Sequence, residues 1–135
     1  MKIRSYPRLR AGAPRAAFTL VEIMIVVLII GLLAMIAIPN VKRSLEKARL
    51  QTIQTNLRTI DQMKTLWAAE NKKGGDATPS ESELAPYFQN QKFPQPVMGE
   101  TYNIGSIDNS PTATIPSKLG DIPSGGTITL DGVSK

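Results

Sequence analysis

Residues 18–38 read FTLVEIMIVVLIIGLLAMIAI, 21 residues of which only Thr19 and Glu22 are clearly polar. As a helix rising about 1.5 Å per residue, this run would be about 31 Å long, which matches the hydrocarbon core of a bilayer. Because it is apolar on every face, a soluble fold would have to cover it completely, and the remainder of this chain is too small to do so. The run therefore reads as a membrane-spanning helix. A secretory signal cut within residues 34–37 is the other use of an apolar start. The run is longer than the apolar core of such a signal, carries Glu22 inside it, and passes straight into a further helical pattern beyond Pro39.

The distribution of charge orients the span. The net charge of +5 resembles a nucleic-acid or anionic-surface signature. Residues 1–17, however, hold Lys2, Arg4, Arg8, Arg10 and Arg15 without an acid, and the remaining 11 basic residues balance 11 acidic ones. A basic leader before an apolar run keeps the leader in the cytoplasm and sends the following chain across the membrane. Cysteine and histidine are absent, so there is no disulfide framework, no thiolate, and neither the commonest zinc ligands nor the commonest general base. No cofactor is expected, and an enzyme is not.

Glu22 is the anomaly. A carboxylate in an apolar segment is costly unless something compensates it. Proximity to the membrane interface, four residues into the run, is one answer. A cation is the other, and no Lys or Arg lies within the run. The stretch Arg15-Ala16-Ala17-Phe18-Thr19-Leu20-Val21-Glu22-Ile23-Met24-Ile25-Val26-Val27 resembles the processing and methylation motif of type IV pilins and type II secretion pseudopilins. The resemblance is close from residue 15 to about residue 40 and looser beyond. It implies that prepilin peptidase cuts between Ala17 and Phe18, and that the new amino group of Phe18 is methylated. It further implies that Glu22, fifth from the cut, attracts the amino terminus of a neighbouring subunit and sets its register in a fibre, and that Pro39 bends the helix. The family usually has Gly immediately before the cut, where this sequence has the small residue Ala17.

After Pro39 the chain turns amphipathic, with Val41, Leu45, Ala48, Ile53, Leu57, Ile60, Met63 and Trp67 near helical spacing. Gly and Pro are absent from residues 40–73, and Gly74-Gly75 places the end of the helix near residues 71–74. The expected fold class is α+β and pilin-like. Its parts are a leader over 1–17, a membrane-spanning half-helix over 18–38, an amphipathic half over 39–73, and a small C-terminal part over 74–135. The apolar stripe is expected to pack on that C-terminal part. Lys42, Arg43, Lys47 and Arg49 read as a solvated basic face.

Two capping boxes compete at the next helix, Thr78 with Glu81 and Ser80 with Glu83, and Pro86 ends it. Leu84, Ala85, Tyr87 and Phe88 are expected to turn inward toward Trp67. Residues 100–107 and 112–116 are β-leaning around the turn signal Asp108-Asn109-Ser110-Pro111, and residues 127–130 offer a third strand of a small antiparallel sheet. The segment Gly99-Glu100-Thr101-Tyr102-Asn103-Ile104-Gly105 is similar to a subgroup of small pilin-like proteins in which a cysteine pair brackets it; Gln95 and Ala113 stand in those places. Asp108, Asn109, Asp121 and Asp131 are candidate oxygen ligands for calcium, although their spacing fits no ligand pattern.

Taken together, the sequence reads as a self-assembling structural subunit. The resemblance implies as partners other copies of itself, prepilin peptidase, and an inner-membrane assembly platform with its ATPase. It places the chain in the bacterial inner membrane with a periplasmic C-terminus, and later in a periplasmic or extracellular fibre. The alternative is an uncleaved, single-pass anchor that carries residues 73–135 as a binding module. DNA binding has little support, because the part after the leader has no net positive charge and no interleaving of aromatic and basic residues.

Overall fold

The computed structural model describes residues 17–134, so all of the leader over 1–17 except Ala17 lies outside the described residues. Helix α1, Leu20–Asn71, contains both the apolar run and the amphipathic stretch, with Pro39 inside it. The chain divides into two compact units at Ile38 and Pro39.

In the first unit no described residue is buried. The large apolar side chains from Leu20 to Ile38 are all exposed, and this is the helix long and apolar enough to cross a membrane.

In the second unit the same helix buries Ile53, Leu57, Ile60, Lys64, Trp67 and Ala68, a spacing of three and four that keeps one face inward. The lower part of the expected stripe does not follow, since Val41 and Leu45 are exposed. The stripe packs on the C-terminal part only from Leu50 and Ile53 onward; below them the turn over Leu119–Ile122 lies beside Arg43, Glu46 and Lys47 rather than over Val41 and Leu45. The helix ends as the sequence predicts, at Asn71, but the left-handed residue that stops it is Lys72 (φ 52°) rather than a glycine. The Lys73 N–H reaches back to the Ala68 carbonyl at 3.0 Å, and the Asn71 amide donates to the Trp67 carbonyl at 2.9 Å, satisfying two of the open carbonyls.

Helix α2, Glu81–Leu84, starts from Ser80, so the second of the two competing caps is the one used. The Ser80 N–H donates to Glu83 Oε2 at 2.8 Å, and the Glu83 N–H donates to Ser80 Oγ at 3.4 Å. A single 3-10 turn, Ala85–Tyr87, follows; Pro86 within it has no N–H to continue an α pattern. Leu84 and Phe88 are buried, whereas Ala85 and Tyr87 are only half-buried, a partial correction to the expected inward set.

Strands β1 (Thr101–Asn103), β2 (Thr112–Thr114), β3 (Thr127–Thr129) and β4 (Gly132–Ser134) form one antiparallel sheet in the order β1-β2-β3-β4. The strands are shorter than the β-leaning segments, and β4 is a strand beyond the three expected. Each of β1, β2 and β3 turns its middle residue inward, Tyr102, Ala113 and Ile128, as a period of two requires when one face is covered. These join Ile104, Ile115, Leu119 and Ile122 in a core against α1. Ala113 fills its place in that core at 0% exposure, while Gln95 is exposed on the surface.

Candidate assembly site

The first described residues, Ala17 and Phe18, lie outside regular structure and are exposed, Phe18 at 81%. Thr19 caps α1. Its backbone N–H donates to Glu22 Oε2 at 2.7 Å, its hydroxyl donates to the same oxygen at 2.8 Å, and the Glu22 N–H donates to Thr19 Oγ1 at 3.2 Å. The Ile23 N–H completes the first turn by donating to the Thr19 carbonyl at 3.3 Å. Thr19-Leu20-Val21-Glu22 is therefore a capping box, with the carboxylate at the positive end of the helix dipole.

Sequence reasoning had this carboxylate waiting for a cation and missed its local partner, although the spacing of a threonine three residues before a glutamate is visible in the chain. Among the described residues Glu22 Oε1 has no hydrogen-bond partner, so one oxygen holds the helix start and the other remains available. The Thr19 N–H belongs to the peptide bond that joins Phe18 to Thr19. An amine created at Phe18 would thus lie one residue from a group already bonded to Glu22.

Pro39 sits within α1, where its ring removes one backbone donor from the helix. The four calcium candidates stand on three separate turns, Asp108 and Asn109 sharing one. Asp108 lies in a turn whose N–H donates to the Gly75 carbonyl at 3.1 Å, and a side chain added at Gly75 would overlap the Asp108 carboxylate. Asp121 lies in the tight turn closed by Leu119 and Ile122, and Asp131 in the turn between β3 and β4. Among the described residues no three acidic side chains gather in a way that could hold a metal ion.

Two buried ionisable groups in the second unit were not anticipated. Lys64, 1% exposed, donates from Nζ to the Asn109 carbonyl at 2.6 Å and has Asp61 Oδ1 at 4.0 Å. Burial pushes its pKa down, partly countered by Asp61. Its position in the series 57, 60, 64, 67 on the buried face was the available signal. Glu100, 2% exposed, accepts from the backbone N–H of Val97 and Met98 at 3.0 and 2.9 Å and from the Tyr102 hydroxyl at 2.6 Å. Tyr102 Oη in turn accepts from the Asn56 amide at 2.8 Å, joining α1 to β1. These contacts serve the architecture and contain no nucleophile paired with a base.

The comparisons with known proteins bear on the first unit most directly. Residues 13–38 match the family described as the prokaryotic N-terminal methylation motif. That motif supports a likeness to the type IV pilins and pseudopilins over this stretch. It is also similar to the type II secretion system core protein G of Klebsiella pneumoniae, 28% identical over 100 residues, with 64% of this chain and 71% of the relative covered. No solved structure matches. Together with the exposed apolar helix, the motif fits membrane anchoring of a fibre-type subunit.

Proposed function

We propose that this chain is a structural subunit of a type II secretion pseudopilus or a related pilus-like fibre. The observation that carries the reading is the apolar half of α1, of which no residue is buried in its own chain although the motif of a processed subunit lies directly on it. Such a surface is stable in lipid or against the same surface of other copies, and in water it would aggregate. In this reading the leader stays in the cytoplasm of a bacterial cell and the second unit lies in the periplasm. Prepilin peptidase cuts between the exposed Ala17 and Phe18, and the Phe18 amine is methylated. The platform and its ATPase lift the subunit from the inner membrane into the fibre. Similarity to a core protein of the secretion system favours a pseudopilus over a motility or adhesive pilus.

Glu22 would keep its helix cap through Oε2 and receive the amino terminus of a neighbouring subunit at Oε1. In an apolar medium a paired carboxylate is strongly preferred over an isolated one, which supplies both attraction and register. Pro39 would allow the helix to bend between lipid-embedded and periplasmic parts.

Mass spectrometry of the membrane and fibre pools tests the processing: a methylated Phe18 start is expected, and an intact Met1 start in both pools would leave the uncleaved anchor as the better reading. Glu22→Ala should insert as well as wild type or better while its fibre yield drops to a small fraction. Normal fibre from that variant would remove the role given to Glu22.

A further inference from the structure

The second unit carries a surface depression of about 520 Å³ where the last turn of α1 meets α2 and the 3-10 turn, lined by Trp67, Glu70, Asn71, Glu83, Pro86 and Tyr87. Its walls bring together a carboxylate from α1, Glu70, one from α2, Glu83, and the side chains of Trp67 and Tyr87. The Tyr87 hydroxyl accepts from the Asn71 amide at 3.2 Å, which ties the aromatic wall to the end of α1. Glu83 gives Oε2 to the Ser80 cap while its side chain lines the depression. Lys73 lies near enough to act on Glu83 electrostatically. Still, among the described residues neither Glu70 nor Glu83 forms an ion pair within 4.0 Å.

Two carboxylates flanked by aromatic side chains suit a guanidinium, which donates to carboxylates along its edge and packs well against aromatic rings. The opposite end of the second unit supplies one. Lys42, Arg43 and Lys47 are exposed there, Arg43 shares a shallow depression with Glu46 and Asp121, and Arg43 is the exposed arginine of the stretch, Arg49 being half-buried. Arg43 and Glu70 are 27 residues apart on one helix, about 40 Å along its axis, so they cannot meet within one chain.

We infer that the depression between α1 and α2 receives Arg43 of a second copy of this chain, forming a head-to-tail contact. This rests on the fibre reading above, because anchorage in one membrane gives all copies the same orientation. Copies held parallel cannot satisfy two separated patches of opposite sign by a closed antiparallel dimer, and a contact that repeats without closing produces a filament. Charge complementarity would then select the neighbour, and the apolar helices would supply the bulk of the packing.

The test uses the full chain in cells that assemble the wild-type fibre. Arg43→Glu and Glu70→Arg should each lower fibre yield by roughly tenfold or more, and the two together should restore it to within roughly twofold. Since the chain has no cysteine, Arg43→Cys combined with Ser82→Cys should give an oxidation-dependent ladder of dimers and higher species, absent from either single variant. Methylated wild-type fibre with neither a ladder nor restoration by the double reversal overturns this contact alone. Single reversals that fail without rescue, again with no ladder, would mean that a different basic partner occupies the depression, and would also overturn it. Wild-type protein that is neither processed nor polymerised removes the fibre reading and the contact with it.

Discussion

Residues 20–38 and residues 53–68 belong to one helix, and the more apolar of the two is the one that buries nothing. The first stretch is exposed on every face, whereas the second, polar at most of its positions, buries Ile53, Leu57, Ile60, Lys64, Trp67 and Ala68. Spacing, rather than apolar content, decides which becomes core. A stripe three and four residues apart can meet the single covering layer that the C-terminal part provides. A helix apolar all round exceeds any cover this chain has, and in the proposed function lipid and other copies provide that cover. One charged residue in each stretch follows the same division. Glu22 is satisfied by its own helix start, and Lys64 by a carbonyl 45 residues away.

Truncating one leucine in each stretch should give the largest contrast. Leu57 is fully buried and Leu28 is 62% exposed. In detergent-solubilised full-length chain, with unfolding followed by the fluorescence of Trp67, Leu57→Ala should lose about 2–5 kcal/mol through lost burial and the cavity left behind. Leu28→Ala should change stability by less than about 0.5 kcal/mol. An equal loss from both would mean that the first stretch packs on its own chain, and the comparison would fail.

The polar links that fasten the second stretch to the sheet should give a smaller effect with a pH signature. Burial pushes the Glu100 carboxyl upward, but the Tyr102 hydroxyl and the N–H groups of Met98 and Val97 outweigh it and hold the pKa below the ordinary 4.5. A carboxyl with a depressed folded-state pKa stabilises the fold above its unfolded pKa, and that contribution is lost as pH falls through the folded value. Glu100→Gln should cost about 1.5–3 kcal/mol at neutral pH, since an amide NH₂ replaces one acceptor facing a donor. The same variant should flatten the fall in stability of the wild type below pH 4.5, measured by denaturant titration at several pH values. An unchanged acid slope would remove Glu100 as its cause.

The long helix, its end at Asn71, the short helix and three of the strands were legible because each carries a local signal: periodicity, a Gly pair, a capping sequence, or β-branched residues around turns. Strand β4 was less visible. It is three residues long, opens on Gly132, and exists because the turn at Leu130-Asp131 folds it back onto β3; Asp131-Gly132 was the available turn signal. The choice of Ser80 over Thr78 depends on packing, since Pro79 is buried and the chain stays extended at Ser80, with ψ 163°. At the assembly site, the sequence marked Phe18 and Glu22 through their order. The capping role of Glu22 was overlooked because attention fell on the cost of its charge rather than on its distance from Thr19. The depression at Glu70 and Glu83 could not be read from the chain, because it forms only when α2 folds against the end of α1.

The two capping boxes allow the comparison to be sharpened at its finest scale. Thr19 with Glu22 opens the exposed stretch, and Ser80 with Glu83 opens a helix whose Leu84 is buried in the core. Both use the same arrangement of hydroxyl, carboxylate and backbone donors, so any difference in their effects must come from what the helix behind each is attached to. Thr19→Ala should speed amide exchange roughly fivefold in the first turn of α1, the size expected for a lost cap, and leave the unfolding of the second unit unchanged. Ser80→Ala should speed exchange in α2 by a similar factor and also lower the unfolding midpoint of the second unit slightly, because the loosened turn carries Leu84 into the core. If Thr19→Ala lowered that midpoint as well, the two stretches of α1 would be energetically coupled through the helix, and treating them as separately stabilised would be wrong.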